Sequence, residues 1–429
     1  MGENAPSRPA GAPRRPRTLT ALGTNLGGVV LSQIATLGGG IAAARMLGPS
    51  DRGHQALLLT VALIVVQFGS LGLPLAITFE VARGRLTARE FFNGMRDKIS
   101  IQIAGVVLVH LAVTCAVILT TTTPAIPALV TVAVVPSSVL VEMFLGVLQG
   151  RQEFGLFNGI RLLQVSVYAC GVIALAVLGT ASLTLVMVVW VSSLLITLVI
   201  AAYAAVRREA PALGNAVPPS SFQEMRRFGL RGMLGAVSPI STMRADQLVV
   251  GFVLSSRSLG LYSSALAYAN FPRIVSQAIG QVAYPRVAAV AHDPVARNSA
   301  MWRFTLLSVC LAAFIGAALA ALARPLIEFT FGSDFAGAAG TLQILAAATV
   351  PLSGRRVLGD ALRGAGFPGA SSRVEIASWA FLVPSMLILG SMMGLPGVAW
   401  ALAASYTITF VLLIYLATVL TKPGASASH

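Results

Sequence analysis

The sequence predicts an all-α integral membrane protein of about twelve transmembrane helices, arranged as two six-helix lobes that repeat in parallel. Three observations predict it. Of 429 residues, 56% are hydrophobic and only 10% are charged, against about 25% charged in an ordinary soluble domain. The apolar residues fall into twelve runs, each close to the ~20 residues that a bilayer span requires, separated by clusters of charge, Pro or Gly. Short segments also recur half a chain apart. This composition excludes a soluble enzyme, a nucleic-acid partner and a disordered chain. The net charge of +15 therefore has to be read by membrane side. Of the 30 Lys and Arg, 28 are Arg, a GC-biased usage that points to a bacterial source and its cytoplasmic membrane.

In chain order the runs are 18–46, 55–81, 99–122, 126–149, 155–178 and 182–206, then 227–253, 260–285, 301–323, 336–358, 370–393 and 395–420. The first is about thirty residues long, more than a secretory signal's apolar region, so it reads as a span. With an even count both termini share one side. Arg83, Arg85, Arg89, Arg96, Lys98, Arg151, Arg207, Arg208, Arg226, Arg227, Arg286, Arg297 and Arg363 then lie in connections on that side, against Arg52, Arg257 and Arg324 opposite. The positive-inside rule puts both termini in the cytoplasm. The division that follows is a basic tail at 1–17, a first lobe at 18–206, a Pro-containing linker at 207–226, a second lobe at 227–421 and a tail at 422–429. No connection is long enough to fold as a catalytic domain.

The lobes look like copies. Leu47-Gly48-Pro49-Ser50-Asp51-Arg52-Gly53, after the first run, aligns with Leu254-Ser255-Ser256-Arg257-Ser258-Leu259-Gly260, after the seventh, at an offset of 207. Leu148-Gln149-Gly150 aligns with Leu362-Arg363-Gly364 at an offset of 214. Two nearly equal offsets one six-span unit apart indicate a parallel repeat about an axis along the membrane normal.

These residues also resemble a known family. Arg45-Met46-Leu47-Gly48-Pro49-Ser50-Asp51-Arg52-Gly53 is similar to the segment closing the first helix of polysaccharide transporters in the multidrug/oligosaccharidyl-lipid/polysaccharide exporter superfamily. Asp246-Gln247-Leu248-Val249-Val250-Gly251, then Leu259-Gly260-Leu261-Tyr262, Ala265, Pro272 and Pro285, resembles their seventh and eighth helices, and Phe331-Gly332 with Phe335, Leu342 and Leu345 the entry to the tenth. Gln55 departs from the pattern, which places a Tyr there. The resemblance implies a V-shaped flippase that moves a lipid-linked oligosaccharide from the inner to the outer leaflet by alternating access. Its partners would be that substrate, membrane lipid, a coupling proton or sodium ion, and a polysaccharide polymerase or glycosyltransferases.

A polyprenyl-pyrophosphate glycan needs cations in a hydrated cavity, and the planar fork of Arg suits phosphate. Ionisable groups inside the membrane are costly and so mark function by default. Arg273 lies about 20 Å from the outer end of its span, Arg244 about 14 Å and Asp246 about 10 Å, at 1.5 Å per residue. Arg273 and Arg244 are candidate substrate contacts, and Asp246 serves coupling or an ion pair, with an Asp246 to Arg273 pair as the purely structural alternative. Residues two apart diverge by about 200° on a helix, so Arg244 and Asp246 should not both face one cavity. Arg45 near the outer mouth and Arg231 near the inner one are further candidates, with snorkelling the competing explanation there and at Arg52. Glu142 with Arg161, and Arg356 with Glu375 at the 214 offset, read as structural pairs. His110 and the cysteines Cys115, Cys170 and Cys310 read as packing residues. No cofactor or metal site is indicated: there is no G-K-[ST] and no catalytic or ligating cluster.

Two rivals remain. A multidrug cation antiporter of the same fold would want acidic residues in its first-lobe cavity, and the first run holds neither Asp nor Glu. An integral membrane glycosyl-transfer enzyme is the other. A lipid II flippase would be expected to carry two more C-terminal helices.

Overall fold

The computed structural model describes residues 18–207, 221–234 and 244–421, with side chains from Leu31 onward except Leu234 and Pro368. The predicted tails at 1–17 and 422–429, and linker residues 208–220, lie outside the described residues. The described chain is helical and contains no strand.

Eight helices are long and apolar enough to cross a bilayer unaided. The first, α1 (Thr18–Gly69), holds two predicted runs and turns at Gly48, whose backbone (φ 72°, ψ 175°) only glycine adopts without strain, ahead of Pro49. Gly40 sits beside the Arg52 guanidinium. Twelve residues of straight helix would separate them by about 18 Å, so the two legs fold back on one another.

Several runs are broken rather than straight. The second run ends α1 at Gly69 and resumes as α2 (Leu73–Ala82) after left-handed Leu71 and Gly72. A short amphipathic α3 (Ala88–Gly94) starts with a reciprocal cap, in which Thr87 N–H donates to Glu90 Oε2 at 2.8 Å and Glu90 N–H to Thr87 Oγ1 at 3.2 Å. Then come α4 (Arg96–Thr120), the short α5 (Ala125–Val130), α6 (Val134–Gly150), α7 (Phe154–Val177) and α8 (Leu183–Arg207).

The second half opens with α9 (Phe222–Leu234), and the seventh run resumes as α10 (Ala245–Val249) continued by one wide turn to Leu254. The eighth run bends at Asn270 between α11 (Ser256–Ala269) and α12 (Phe271–Ala289), where Pro272 cannot extend the preceding hydrogen-bond ladder. α13 (Pro294–Ala321), a surface helix α14 (Ala323–Phe331), α15 (Ala338–Gly364), α16 (Pro368–Met393) and α17 (Leu395–Leu420) complete the bundle.

The repeat is visible in the packing. A Cβ on Gly150 of α6 would stand 2.8 Å from the Thr78 carbonyl of α2, and one on Gly364 of α15 would stand 2.4 Å from the Tyr284 carbonyl of α12. These glycines are the pair that aligns at 214. Between the halves the contacts are reciprocal: Gly53 abuts the Ser256 carbonyl and Gly260 the Pro49 carbonyl, with hypothetical Cβ distances of 1.6 and 1.8 Å. Both pairs are equivalent under the 207 offset, as an axis relating two copies demands. Small residues let helix backbones approach where lipid provides no hydrophobic drive for association.

A second seam contact joins α2 to α9. Cβ atoms on Gly72 and Gly229 would each meet the other's carbonyl oxygen, at 2.1 and 2.4 Å. Apolar clusters span both contacts: Leu57, Val61, Val249, Tyr262 and Leu402 at the Gly53 end, and Leu73, Ile77, Val147, Phe222 and Met225 at the Gly72 end.

Three sequence expectations change here. Cys115, Cys170 and Cys310 are exposed rather than packed, because the outward faces of membrane helices are as apolar as the inward ones. Glu375 pairs with Arg355 at 2.9 Å, one residue short of Arg356, so α15 presents the neighbouring side chain from the one the offset nominated. Among the described residues Glu142 and Arg161 form no ion pair; Arg161 lies over the Phe157 ring at 5.5 Å. His110 is buried as expected, its Nε2 3.1 Å from Thr131 Oγ1.

Candidate functional site

The polar groups that the sequence places at mid-depth meet where α10, α11, α12, α15 and α17 converge. Arg244, just before α10, has a left-handed backbone (φ 46°, ψ 43°) without being glycine. Holding a side-chain-bearing residue there costs about 1–3 kcal/mol and persists only where the surroundings enforce it. This corrects the helical argument: Arg244 and Asp246 line the same cavity, about 180 Å³ in volume, because Arg244 precedes the helix instead of belonging to it.

Asp246 is 3% exposed, and its Oδ2 accepts a hydrogen bond of 2.8 Å from the Tyr262 hydroxyl on α11. Tyr262 is itself fully buried, so each polar group supplies the partner that the other's burial requires. Arg273 of α12 lines the same cavity, as does Tyr406 of α17. Arg244, Arg273 and Asp246 are thus brought together, while the secure partner of the carboxylate is Tyr262.

A neighbouring cavity of about 370 Å³ shares Arg244, Gln247 and Asn270 and is closed from the first half by Gln33, Thr36 and Arg52 of α1. Gln247 crosses the seam, its Oε1 accepting from Thr60 Oγ1 at 2.7 Å. Arg52 donates to Gln55 Oε1 at 2.5 Å and Gln55 Nε2 to the Tyr168 hydroxyl at 2.6 Å. Gln55, the departure from the family pattern, is completely buried as this bridge, with the phenol supplied by α7. The Arg52 Nε is buried and has no hydrogen-bond acceptor.

The other two candidates stand elsewhere. Arg45 donates from Nε to the Thr330 carbonyl at 2.6 Å and from Nη2 to the Phe329 carbonyl. It thereby covers the C-terminal carbonyls of α14, where a cation is favoured, and is absent from the lining of both cavities. Arg231 is exposed in the last turn of α9, also away from both. Outside the spans, the Ser221 N–H, donating at 2.8 Å, holds the exposed Glu224 carboxyl below the usual carboxylate range where α9 begins.

Sequence reasoning missed Tyr406 and Gln247 as cavity residues. The pairing of Asp360 with Arg363 at 2.8 Å on α15 also went unremarked. Gly280 of α12 carried a signal for Asp360, since a Cβ there would stand 2.1 Å from Asp360 Oδ2; a glycine facing a partly buried carboxylate is legible only once the two helices are paired.

Residues 42–339 match the polysaccharide biosynthesis protein family. The chain belongs to that family. The matched interval contains two of the three segments that carried the resemblance, Arg45 to Gly53 and Asp246 to Tyr262, and the start of the third at Phe331 to Phe335. Among curated proteins this family member is similar to the succinoglycan biosynthesis transport protein ExoT of Rhizobium meliloti (strain 1021), at 26% identity over 328 residues, 75% of this chain and 65% of that protein. It therefore spans about two thirds of that relative's length.

Solved structures share the fold. The lipid II flippase MurJ in its inward closed conformation superposes with a TM-score of 0.70 at 13% identity, covering 91% of this chain and 86% of that one. An inward-facing multidrug resistance MATE family transporter of the MOP superfamily gives 0.68 at 15% identity, covering 93% and 96%. The polysaccharide biosynthesis family member is thus a multi-pass helical membrane protein with the two-lobed exporter fold.

Proposed function

We propose that this protein is a flippase for a lipid-linked oligosaccharide, carrying a polyprenyl-pyrophosphate glycan from the inner to the outer leaflet of a bacterial cytoplasmic membrane by alternating access. The observation that carries the reading is the cavity of the second half, whose lining brings Arg244 and Arg273 together with Asp246, beside the seam cavity that shares Arg244. Arg side chains stay charged and can grip phosphate through two hydrogen bonds. Asp246, in the same lining, is the carboxylate available for coupling to a proton or sodium ion.

The glycine contacts at both ends of the seam support rocking of one half against the other. At each end the halves meet backbone to backbone at a glycine, with side-chain contacts only around that point, so the halves can part as bodies. In this reading the Gly72 end faces the cytoplasm, following the Arg-rich connections, and both termini lie there. The 18–206 and 227–421 segments are the rocking units. A polymerase or glycosyltransferases act before and after the transport step.

A multidrug cation antiporter is less well supported, because the first-half residues at the cavity, Gln33, Thr36 and Arg52 among them, include no carboxylate. An integral membrane glycosyl-transfer enzyme would consume a polyprenyl-phosphate sugar when purified.

The test is glycan export by cells whose own copy is deleted, measured beside protein abundance. Arg273→Lys, which keeps charge but loses the fork, should export weakly, and Arg273→Ala hardly at all, both at normal abundance. Full export by Arg273→Ala would remove the substrate role. Low abundance of Arg273→Ala rescued by Asp246→Asn would make Arg273 structural.

A further inference from the structure

Apart from the central cavity, the seam carries a second, apolar recess of about 750 Å³ on the surface between α1, α4 and α9. Phe68, Ile101, Val106 and Val109 make its wall, and Ile101 and Val109 are 73% and 57% exposed. Its polar end is built by two cations from opposite halves, Lys98 at the start of α4 and Arg226 in the first turns of α9. Lys98 Nζ lies 6.0 Å from the centre of the Phe222 ring, which fixes the two helix starts side by side. Both cations are exposed. From Lys98 to Val109 the trough runs about 16 Å along α4.

The floor of the trough is open. No atom lies within 4 Å of the Cβ position of Gly105. Leu71, also on the wall, adjoins Gly72, which abuts Gly229. The recess therefore ends at the contact that must part for the central cavity to open on this side.

We propose that this groove receives the isoprenoid tail of the lipid-linked substrate, with its phosphoryl group held by Lys98 and Arg226. The proposal rests on the flippase reading and adds a loading site to it. Charge complementarity selects a phosphate at one end, and the apolar trough beyond it suits a tail. A single cationic end on a single trough matches a one-tailed isoprenoid phosphate, and the space at Gly105 accommodates its methyl branches. Position on the seam links it to the cavity: a head group released from Lys98 and Arg226 enters where α2 and α9 separate, while the tail stays in the bilayer.

The experiment is photolabelling of the full-length protein in nanodiscs with a diazirine-bearing polyprenyl phosphate, in competition with unlabelled polyprenyl phosphate or phosphatidylglycerol. Labels should fall on the 98–109 and 222–226 peptides and be displaced by polyprenyl phosphate but not by equal phosphatidylglycerol. Gly105→Phe, which fills the trough without meeting packed atoms, should lower labelling about tenfold at normal abundance, whereas Gly105→Ala should not. A Lys98→Gln, Arg226→Gln double variant should weaken binding by about a hundredfold, about tenfold for each of the two lost charge-assisted contacts. Equal displacement by phosphatidylglycerol would make this a general lipid groove, and undiminished labelling of Gly105→Phe would place the tail elsewhere; either overturns the proposal. Because labelling is read without export, failure of the flippase reading, seen as full export by Arg273→Ala, remains separable from failure of the groove.

Discussion

The two ends of the seam between the halves are closed by the same device and secured by different chemistry. At the Gly53 end, glycine and carbonyl face carbonyl and glycine across the repeat axis, and polar bonds surround them. His54 Nδ1 lies 3.1 Å from Ser256 Oγ, and Arg45 ties α1 to the carbonyls of α14. At the Gly72 end the neighbours are aromatic: Phe79 of α2 stacks on Phe228 of α9 at 4.7 Å, with Arg83 over Phe79 at 4.1 Å. α9 exposes Phe228 and Leu230, whereas Leu57 and Leu259 near Gly53 are buried to within 1%. One end is thus braced from several directions, while the other leans on a single amphipathic helix with free space outside it. The Gly72 end is expected to part with less disruption.

The largest effect that would sharpen this contrast comes from adding side chains to the glycines. Gly53→Val drives atoms into the Ser256 carbonyl within a buried core, and overpacking there costs about 1–3 kcal/mol or more. Detergent-extracted protein should fall several-fold and its melting temperature should drop. Gly229→Val meets the Gly72 carbonyl, but α9 can move outward. Protein should remain near normal while export is lost. Equal loss of folded protein at both positions would break the comparison.

A smaller change is expected at Arg45. Hydrogen bonds to charged groups are worth about 1.5–3 kcal/mol, so Arg45→Ala should lower thermal stability measurably, with Arg45→Lys intermediate because it reaches fewer carbonyls. An unchanged melting temperature together with weakened substrate binding would return Arg45 to the substrate path, as the sequence first suggested.

The smallest effect is assigned to Phe228. An aromatic pair adds about 0.5–1.5 kcal/mol beyond its buried area, so Phe228→Ala should alter stability slightly. A biotinylated maleimide should then modify a cysteine introduced at Gln223 faster than in the parent, reporting easier opening. Slower modification would show that the stacking does not restrain this end.

Some of this was legible before any coordinates. The Leu-to-Gly match at the 207 offset reappears as the reciprocal contact of Gly53 and Gly260, because a repeat axis makes equivalent residues touch equivalent neighbours. Arg273 and Asp246 were singled out by the cost of ionisable groups in lipid, and both line the cavity. Arg244 was singled out too, but its direction came out wrong because periodicity presumes a helix and the chain leaves the helix there. Tyr406 carried no signal, being one aromatic among many in an apolar run. Glu375 chose Arg355 over Arg356 because a shift of one residue along α15 turns a side chain by about 100°, finer than a repeat offset can specify.

The number and order of apolar runs, their duplication, and which ionisable groups must lie in the membrane are all readable from the chain before it folds. Those depend on composition and on distance along the chain. Only the tertiary structure decided which face of each helix is buried, where the spans break, and which cations share a cavity. In water, burial and hydropathy coincide; in a bilayer, lipid-facing and packed faces are both apolar. The hydrophobic pattern of α4 therefore could not show that most of it faces outward, and the identity of each neighbour was set by close packing of backbones at glycine.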